Sequence, residues 1–271
     1  MDPLAWHITM RLQDGRVLAA WPDARRRAAR ALYDHGERSG LIAFRVADTH
    51  IHVLVACARP LAGAFARQVQ CALRARLAAP VQFEPARFTP VNDQIHLMRA
   101  FRYVLRQEAR HGTLADPFHD GSSLPELVGA RWMPRKDGGF IGEHTVRRVA
   151  LMLPRIRRRE LVAELGADGD LTSAADLRAA AAGALGIAGM DGRGVDRTHA
   201  RVAVVHAAAL PTASLAALLA ITPRAVQQLR ARVPSLAAVR AVDIQLRMRA
   251  RFRALPVHEA PLAPPQDVAH G

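Results

Sequence analysis

Apolar residues in the first third of the chain follow two periods, one typical of strands and one typical of helices. Segments 22–39 and 60–78 are rich in alanine and arginine and predict helices. Short runs of bulky and β-branched residues predict strands at 4–12, 41–47, 50–57 and 81–88. Asp48 and Thr49 form a break between the second and third strands that is short enough for a hairpin.

The order of these elements, β-α-β-β-α-β, is that of the ferredoxin-like split arrangement. It predicts an α+β domain with an antiparallel sheet and helices. Asn92 or Asp93 is suited to cap a further helix that runs to His111 and ends at Gly112. Residues 113–142 contain clusters of Pro, Gly and Ser and predict a linker or a loosely packed extension.

The pattern in the second half of the chain is helical and predicts an all-α unit. Helices are expected at 197–210, 213–220 and 223–232. Thr222 is suited to be the N-cap of the last of these, and Pro223 suits its first position. The sequence thus divides into residues 1–130, the α+β domain; 131–170, a linker or helical extension; 171–254, a helical domain; and 255–271, a proline-containing tail expected to be disordered.

The last two of these helices resemble the helix-turn-helix of sigma-type DNA-binding domains. In that interpretation the final helix presents hydrogen-bond donors to phosphates or base edges from Arg224, Gln227, Gln228 and Arg230. The alternative is a general helical bundle whose arginines are solvated.

The net charge of the chain predicts the kind of molecule that it binds. The chain has 38 Lys and Arg against 24 Asp and Glu, a formal net charge of +14, which favours a polyanion and most simply nucleic acid. The alternative is an arginine-rich proteome. Two cysteines form no disulfide framework, and neither a signal-peptide core nor a membrane span is evident. We therefore expect a cytoplasmic, nucleoid-associated protein with no membrane partner.

Two histidines in the predicted third strand are candidates for chemistry. His50 and His52 are two residues apart, so their side chains leave the same face of a strand, while Ile51 and Val53 occupy the other face. Two imidazoles on a rigid strand can hold one divalent metal ion. The alternative is an incidental pair among twelve histidines.

The helix after the fourth strand carries a candidate nucleophile. At 100° per residue its core side is formed by Leu97, Met98, Phe101, Val104 and Leu105. Tyr103 and Gln107 lie one turn apart on the opposite side, which His96 and Ala100 share. An ordinary surface tyrosine is the alternative. The second tyrosine, Tyr33, lies in an upstream helix without such neighbours.

The segments WHITMRLQDGR, THIHVLVA and AFRYVLRQEARHG together resemble the single-tyrosine HUH transposases, nearest to the REP-associated tyrosine transposases. The resemblance covers roughly the first 130 residues, and DGSSLPELVGAR extends it. It departs from that group at Asp48-Thr49, where Pro-Asn is usual, and at Gln107-Glu108, where Asn-Pro is usual.

The resemblance implies a role for each candidate. His50, His52 and Gln107 would bind a divalent metal, Mg²⁺ or Mn²⁺, and Tyr103 would attack a DNA phosphate. The implied function is a DNA transposase of the HUH endonuclease type, which cuts and rejoins single-stranded DNA at hairpins or palindromic repeats through a covalent 5′-phosphotyrosine. Family members include dimers that exchange the tyrosine helix, so a homodimer is a further expectation.

Two other functions remain open from the sequence. One is a domesticated, non-catalytic DNA-binding regulator derived from such a transposase. The other is an HUH nickase of the replication-initiation or relaxase type. Relaxases place the tyrosine before the histidines, whereas Tyr103 follows His50 and His52 here.

Overall fold

The structure, a computed structural model, describes residues 2–47, 49–77, 82–105, 119–127, 129–133 and 173–254, without the side chains of residues 37 and 251–254. The strands are β1 (Ala5–Arg11), β2 (Leu41–Val46), β3 (His50–Val55) and β4 (Arg87–Val91). The helices of the first half are α1 (Pro22–Gly36), α2 (Arg59–Arg76), α3 (Gln94–Leu105) and the short α4 (Leu124–Leu127), and a 3₁₀ turn, Glu37–Ser39, follows α1. The second half contains α5 (Ala174–Leu185), α6 (Val195–Ala207), α7 (Thr212–Leu219), α8 (Pro223–Arg230) and α9 (Leu236–Ala254).

The four strands form one antiparallel sheet in the order β2-β3-β1-β4. Together with α1 and α2 they give the element order β-α-β-β-α-β. The predicted α+β class with an antiparallel sheet is therefore confirmed. The two central strands, β1 and β3, are hydrogen-bonded on both sides, so side chains on them are held by the rigid centre of the sheet.

The sheet is covered on both faces, and strand alternation assigns each side chain to one of them. On one face, Ile51 and Val53 of β3 join a core with Leu32 of α1 and Phe65 of α2. On the other face, apolar residues of the sheet pack against α3, among them Ala5, Leu54, Val91, Leu97, Phe101 and Val104. Because His50 and His52 alternate with Ile51 and Val53, they leave the sheet on the α3 face.

The fourth strand differs from its predicted position. It was expected at 81–88 but lies at Arg87–Val91, and Phe83 forms only an isolated bridge with Leu12. Val91 pairs with Ala5 and is fully buried against α3, which fixes the register. Pro90 lies within this strand, and because β4 is an edge strand its missing N–H is tolerated.

Residues 119–133 are not the loosely packed extension that their composition predicts, as far as they are described. They run along β2: the Val46 N–H donates to Gly121 O at 2.7 Å and the Ser123 N–H donates to Phe44 O at 3.0 Å. The side chain of Arg131 is fully buried, with its Nε donating to Glu126 Oε1 at 2.5 Å and its Nη1 to Asp120 O at 2.6 Å. Backbone carbonyls and one carboxylate thus replace water around this guanidinium.

Hydrogen bonds join the sheet domain to the helical unit, α5–α9. Arg26 of α1 donates to Asp120 Oδ2 at 2.5 Å and to Ala188 O at 2.9 Å. Gln245 Nε2 of α9 donates to Ala130 O, in the same segment 119–133, at 3.1 Å. This segment is therefore held between the two units by buried polar contacts.

The helical unit has its own apolar core, built by all five helices and including Leu177, Leu185, Val204, Leu215, Val226 and Val242. Three residues, 220–222, separate α7 from α8. The Thr222 Oγ1 accepts a hydrogen bond from the Ala225 N–H at 3.2 Å and Pro223 opens α8, so the predicted cap is confirmed. None of the helices in the described ranges has the length and apolar character needed to span a membrane.

Ala220 ends α7 in the left-handed conformation, with φ 53° and ψ 48°. It is the single non-glycine residue with positive φ among the described residues. Since a Cβ is strained there, we expect Ala220→Gly to stabilise the protein by about 0.5–1 kcal/mol in urea unfolding. The matched control, Ala217→Gly on the exposed side of α7, should destabilise it by about 1 kcal/mol. Equal losses in both variants would contradict this explanation.

Candidate functional site

Three histidine side chains form a cluster on the α3 face of the sheet. His50 and His52 leave β3 on this face, and His7 leaves the neighbouring strand β1. The Nε2 atoms of His50 and His52 are 2.8 Å apart. On the other side of its ring, the Nδ1 of His52 lies 3.0 Å from the Nε2 of His7. We refer to these three residues as the histidine cluster.

The second ring nitrogen of His50 also has a neighbour. Its Nδ1 lies 3.1 Å from the Oγ1 of Thr49, at the start of the strand. The rings of His50 and His52 are nearly perpendicular, with centroids 4.5 Å apart and an interplanar angle of 86°. Both Nδ1 atoms are thus engaged by a neighbouring side chain, while the two Nε2 atoms face each other.

Burial, and to a smaller extent the nearby His96 and His50, lower the pKa of His7 from 6.5 to about 4. His7 is therefore neutral at pH 7. One of its two ring nitrogens can accept a hydrogen bond, which a protonated imidazole could not do.

Helix α3 brings Tyr103 to the histidine cluster. The helix is capped by Asp93, whose Oδ1 accepts from the His96 N–H at 2.7 Å. Its apolar side lies on the sheet, and the half-buried ring of Tyr103 packs at the edge of that contact. The ring centroid of Tyr103 is 5.2 Å from that of His52 and 5.6 Å from that of His7, both with edge-to-face geometry.

The structure thus brings together three of the four residues predicted for the α+β domain, namely His50, His52 and Tyr103. The fourth, Gln107, lies outside the described residues, and the same is true of Asp48. The end of the tyrosine helix, predicted at His111 and Gly112, also lies outside them.

The positions of the two facing nitrogens suit a shared metal ion. Two nitrogens bound at about 2.1 Å and at right angles around one ion are about 3 Å apart. The 2.8 Å between His50 Nε2 and His52 Nε2 is close to that value. Within the described residues, no group of three or more His, Cys, Asp or Glu side chains is placed to hold a metal. Among the residues that the structure describes, the donors for such an ion are thus the two facing imidazoles.

Arginines surround the histidine cluster on the same face. Arg11 of β1 pairs with His50, and Arg87 of β4 pairs with Thr9, and both arginines are exposed. Directly opposite His52 on β2 lies Arg45, which is buried. Residues opposite each other in an antiparallel pair share a face. The candidate metal ligands His50 and His52 therefore lie in a positively charged environment that suits a phosphate.

Sequence reasoning missed His7, Thr49 and Arg45 as parts of the site. The alternation of polar and apolar residues in WHITMRL would place His7 and Thr9 on one face of β1. Their proximity to His52 depends on the register between β1 and β3, with Thr9 opposite His52. That register is not encoded in any local pattern.

The residues predicted to contact DNA from the helical unit lie on α8. The side chains of Arg224, Gln227 and Gln228 are exposed, whereas Val226 packs into the core. The Arg230 guanidinium donates to Leu210 O at 2.7 Å and to Thr212 Oγ1 at 2.8 Å. Arg230 thus connects α8 to the start of α7.

No protein-family model and no curated protein matches the sequence. Among solved structures, the chain is similar to that of the REP associates tyrosine transposase bound to a REP hairpin. The similarity covers 52% of this chain and 85% of that one, with a TM-score of 0.41 and 12% sequence identity. A similarity of this size does not assign a function to this chain.

Proposed function

We propose that this protein is a metal-dependent DNA strand transferase of the single-tyrosine HUH type. In this proposal it cuts and rejoins single-stranded DNA at hairpin or repeat ends through a phosphotyrosine at Tyr103. The observation that carries the proposal is the arrangement of the histidine cluster: the facing Nε2 atoms of His50 and His52, with the Tyr103 ring against His52. The resemblance of the sequence segments around these residues adds to it.

The reaction in this proposal is a transesterification at phosphorus. The phenolic oxygen of Tyr103 forms a bond to phosphorus while the bond from phosphorus to the 3′ oxygen breaks. The proton lost by the phenol leaves through solvent, and the departing 3′ oxygen is protonated to a hydroxyl. Attack of a 3′-hydroxyl on the phosphotyrosine reverses these steps and rejoins the strand.

His50 and His52 would hold the metal ion, with Gln107 as the third ligand by resemblance. A bound Mg²⁺ or Mn²⁺ would supply charge neutralisation on the phosphate oxygens and orientation of the scissile bond. The chain itself positions the reacting groups: β3 fixes the two imidazoles and α3 fixes the tyrosine ring. Arg11 and Arg87 attract the DNA backbone to this face of the sheet.

The helical unit would recognise the DNA site. The two helices α7 and α8, joined by residues 220–222, have the connection length of a helix-turn-helix. In this proposal α8 is the recognition helix, with Arg224, Gln227 and Gln228 available to phosphates or bases. Arg230 would instead hold the angle between the two helices, because its guanidinium donates hydrogen bonds to Thr212, the first residue of α7, and to Leu210 O just ahead of that helix.

A covalent-adduct assay tests the proposed function. The protein is incubated with fluorescent single-stranded hairpin DNA and Mn²⁺, and the products are separated under denaturing conditions. We expect a labelled band at the mass of protein plus DNA fragment, which chelator abolishes. Binding of the hairpin in a native gel without any covalent band would favour the non-catalytic regulator instead.

Removal of one arginine from α8 should weaken DNA binding. We expect Arg224→Ala to reduce affinity for its DNA about 5- to 50-fold and to lower the slope of log K against log salt by about one unit. Arg67→Ala is a matched control, since Arg67 is exposed on α2, on the sheet face away from the histidine cluster. Fluorescence anisotropy across a salt series measures both. An equal effect of the two variants would contradict a recognition role for α8.

A further inference from the structure

The two imidazoles of β3 are each in contact with a second side chain that the proposed metal site does not use. His52 Nδ1 lies 3.0 Å from His7 Nε2, and His50 Nδ1 lies 3.1 Å from Thr49 Oγ1. From these contacts we infer that His7 and Thr49 are positioning residues, which set the tautomer and orientation of His52 and His50. This inference rests on the proposed function, because it assumes that the two Nε2 atoms are ligands.

The proton between His7 and His52 determines which nitrogen of His52 can bind a metal. A neutral imidazole carries one N–H, and a ligand nitrogen must be unprotonated. If His52 Nδ1 donates to His7 Nε2, then His52 Nε2 presents its lone pair towards His50. The opposite direction would place a proton on His52 Nε2 and block it.

Thr49 has the corresponding role for His50. With a metal ion in the site, its hydroxyl would accept from the His50 Nδ1–H, which leaves His50 Nε2 unprotonated like the His52 Nε2 that lies 2.8 Å from it. The two contacts come from different parts of the sheet: Thr49 is the residue just before β3, whereas His7 lies on β1. The central pairing of the sheet therefore fixes one ligand and the start of the strand fixes the other.

The burial of His52 makes the partner necessary. Only 4% of its surface is exposed, so water cannot readily satisfy the Nδ1–H. An imidazole without that acceptor would either lose a hydrogen bond or switch to the other tautomer. Loss of such a partner from a metal-binding histidine typically lowers metal affinity about 10- to 100-fold.

Two substitutions at His7 separate the hydrogen bond from the shape of the side chain. His7→Gln places an amide oxygen where it can accept from His52 Nδ1–H, whereas His7→Leu fills the space without an acceptor. The probe is Mn²⁺ alone, with affinity measured by electron paramagnetic resonance in the full-length protein without DNA. We expect His7→Leu to weaken Mn²⁺ binding about 10- to 100-fold and His7→Gln to recover most of that loss. His206→Gln, on the exposed surface of α6, is the control and should bind normally.

A second readout reports the tautomer itself. Nitrogen-15 chemical shifts of the metal-free protein should show His52 protonated at Nδ1 in the wild type and in His7→Gln, and a mixture of tautomers in His7→Leu. Thr49→Val should weaken Mn²⁺ binding as His7→Leu does, while Thr49→Ser, which keeps the hydroxyl, should not.

Several results of these experiments would overturn the inference. A wild-type His52 protonated at Nε2, unchanged Mn²⁺ affinity in His7→Leu, or equal losses in the Gln and Leu variants would each contradict it. So would a wild type that binds no Mn²⁺. The strand-transfer proposal fails separately: Mn²⁺ binding that depends on His7 as expected, together with no covalent DNA adduct, would leave the inference intact and exclude the proposed function.

Discussion

Tyr103→Phe should eliminate the covalent DNA adduct, with a fall of at least about 1,000-fold relative to the wild type. The substitution removes only the phenolic oxygen, so no bond to phosphorus can form. The ring that contacts His52 and His7 stays, and α3 remains attached to the sheet through Phe101 and Val104. DNA binding should therefore change less than 3-fold, as measured by anisotropy with the same hairpin.

Tyr33→Phe is the matched control for this substitution. Tyr33 is buried in the core between the sheet, α1 and α2, on the face away from the histidine cluster. Because its oxygen has no part in the proposed reaction, the adduct should form at close to the wild-type rate. An adduct that persists in Tyr103→Phe, or that disappears equally in Tyr33→Phe, would contradict the assignment of the nucleophile.

The largest effect on stability should come from Arg131→Met. The Arg131 side chain is fully buried, and its guanidinium binds both carboxylate oxygens of Glu126 and the backbone carbonyls of Asp120 and Ser122. Methionine has a similar reach but no donor, so one buried carboxylate and two carbonyls would lose their partner. We expect a loss of about 3–5 kcal/mol in urea unfolding, followed by tryptophan fluorescence.

Two further variants isolate the cause of that loss. The double variant Arg131→Met with Glu126→Gln should recover about 1–2 kcal/mol, because no charged carboxylate is then left buried without its cation. Arg27→Met breaks an ion pair with Asp23 in which both side chains are more than 40% exposed, and it should cost less than about 1 kcal/mol. A cost for Arg131→Met as small as that of Arg27→Met would show that the buried network contributes little.

The strands at the start of the chain were predicted well because their local pattern is strong. In β2 and β3 the apolar residues are bounded by Gly40 and by the break at Thr49, and the structure places both strands within two residues of the expected limits. The period of two in HIHV was sufficient to predict that His50 and His52 share a face. The cap of α8 at Thr222 was likewise predicted, since a cap depends on neighbouring residues only.

Features that depend on distant pairing were not predicted. The position of β4 is decided by the contact of Val91 with Ala5, and the apolar run 81–88 gives no sign of it. His7 belongs to the site because β1 lies beside β3 in one particular register. Local patterns carry no information on such a register, so the third histidine is visible only in the folded sheet.

The burial of Tyr103 on α3 also depends on contacts with distant parts of the chain. The helical period placed Tyr103 opposite the core residues, as expected for a surface position. In the structure its side chain is half-buried, because α3 lies along the sheet and the histidine cluster fills the space beside its apolar stripe. Residues 119–133 also contradicted their composition, because a buried network around Arg131 holds them, and Leu124, Leu127 and Met133 pack against the apolar clusters.

The most direct test of the account is to identify the residue that carries the DNA. The wild-type protein is reacted with single-stranded hairpin DNA and Mn²⁺, the DNA is trimmed with nuclease, and the protein is digested with trypsin. Cleavage after Arg102 and Arg106 releases the peptide YVLR, residues 103–106. The account predicts this peptide with a nucleotide attached through Tyr103 in tandem mass spectrometry. A nucleotide attached to any other residue, or no attached nucleotide after the hairpin has been cut, would contradict it.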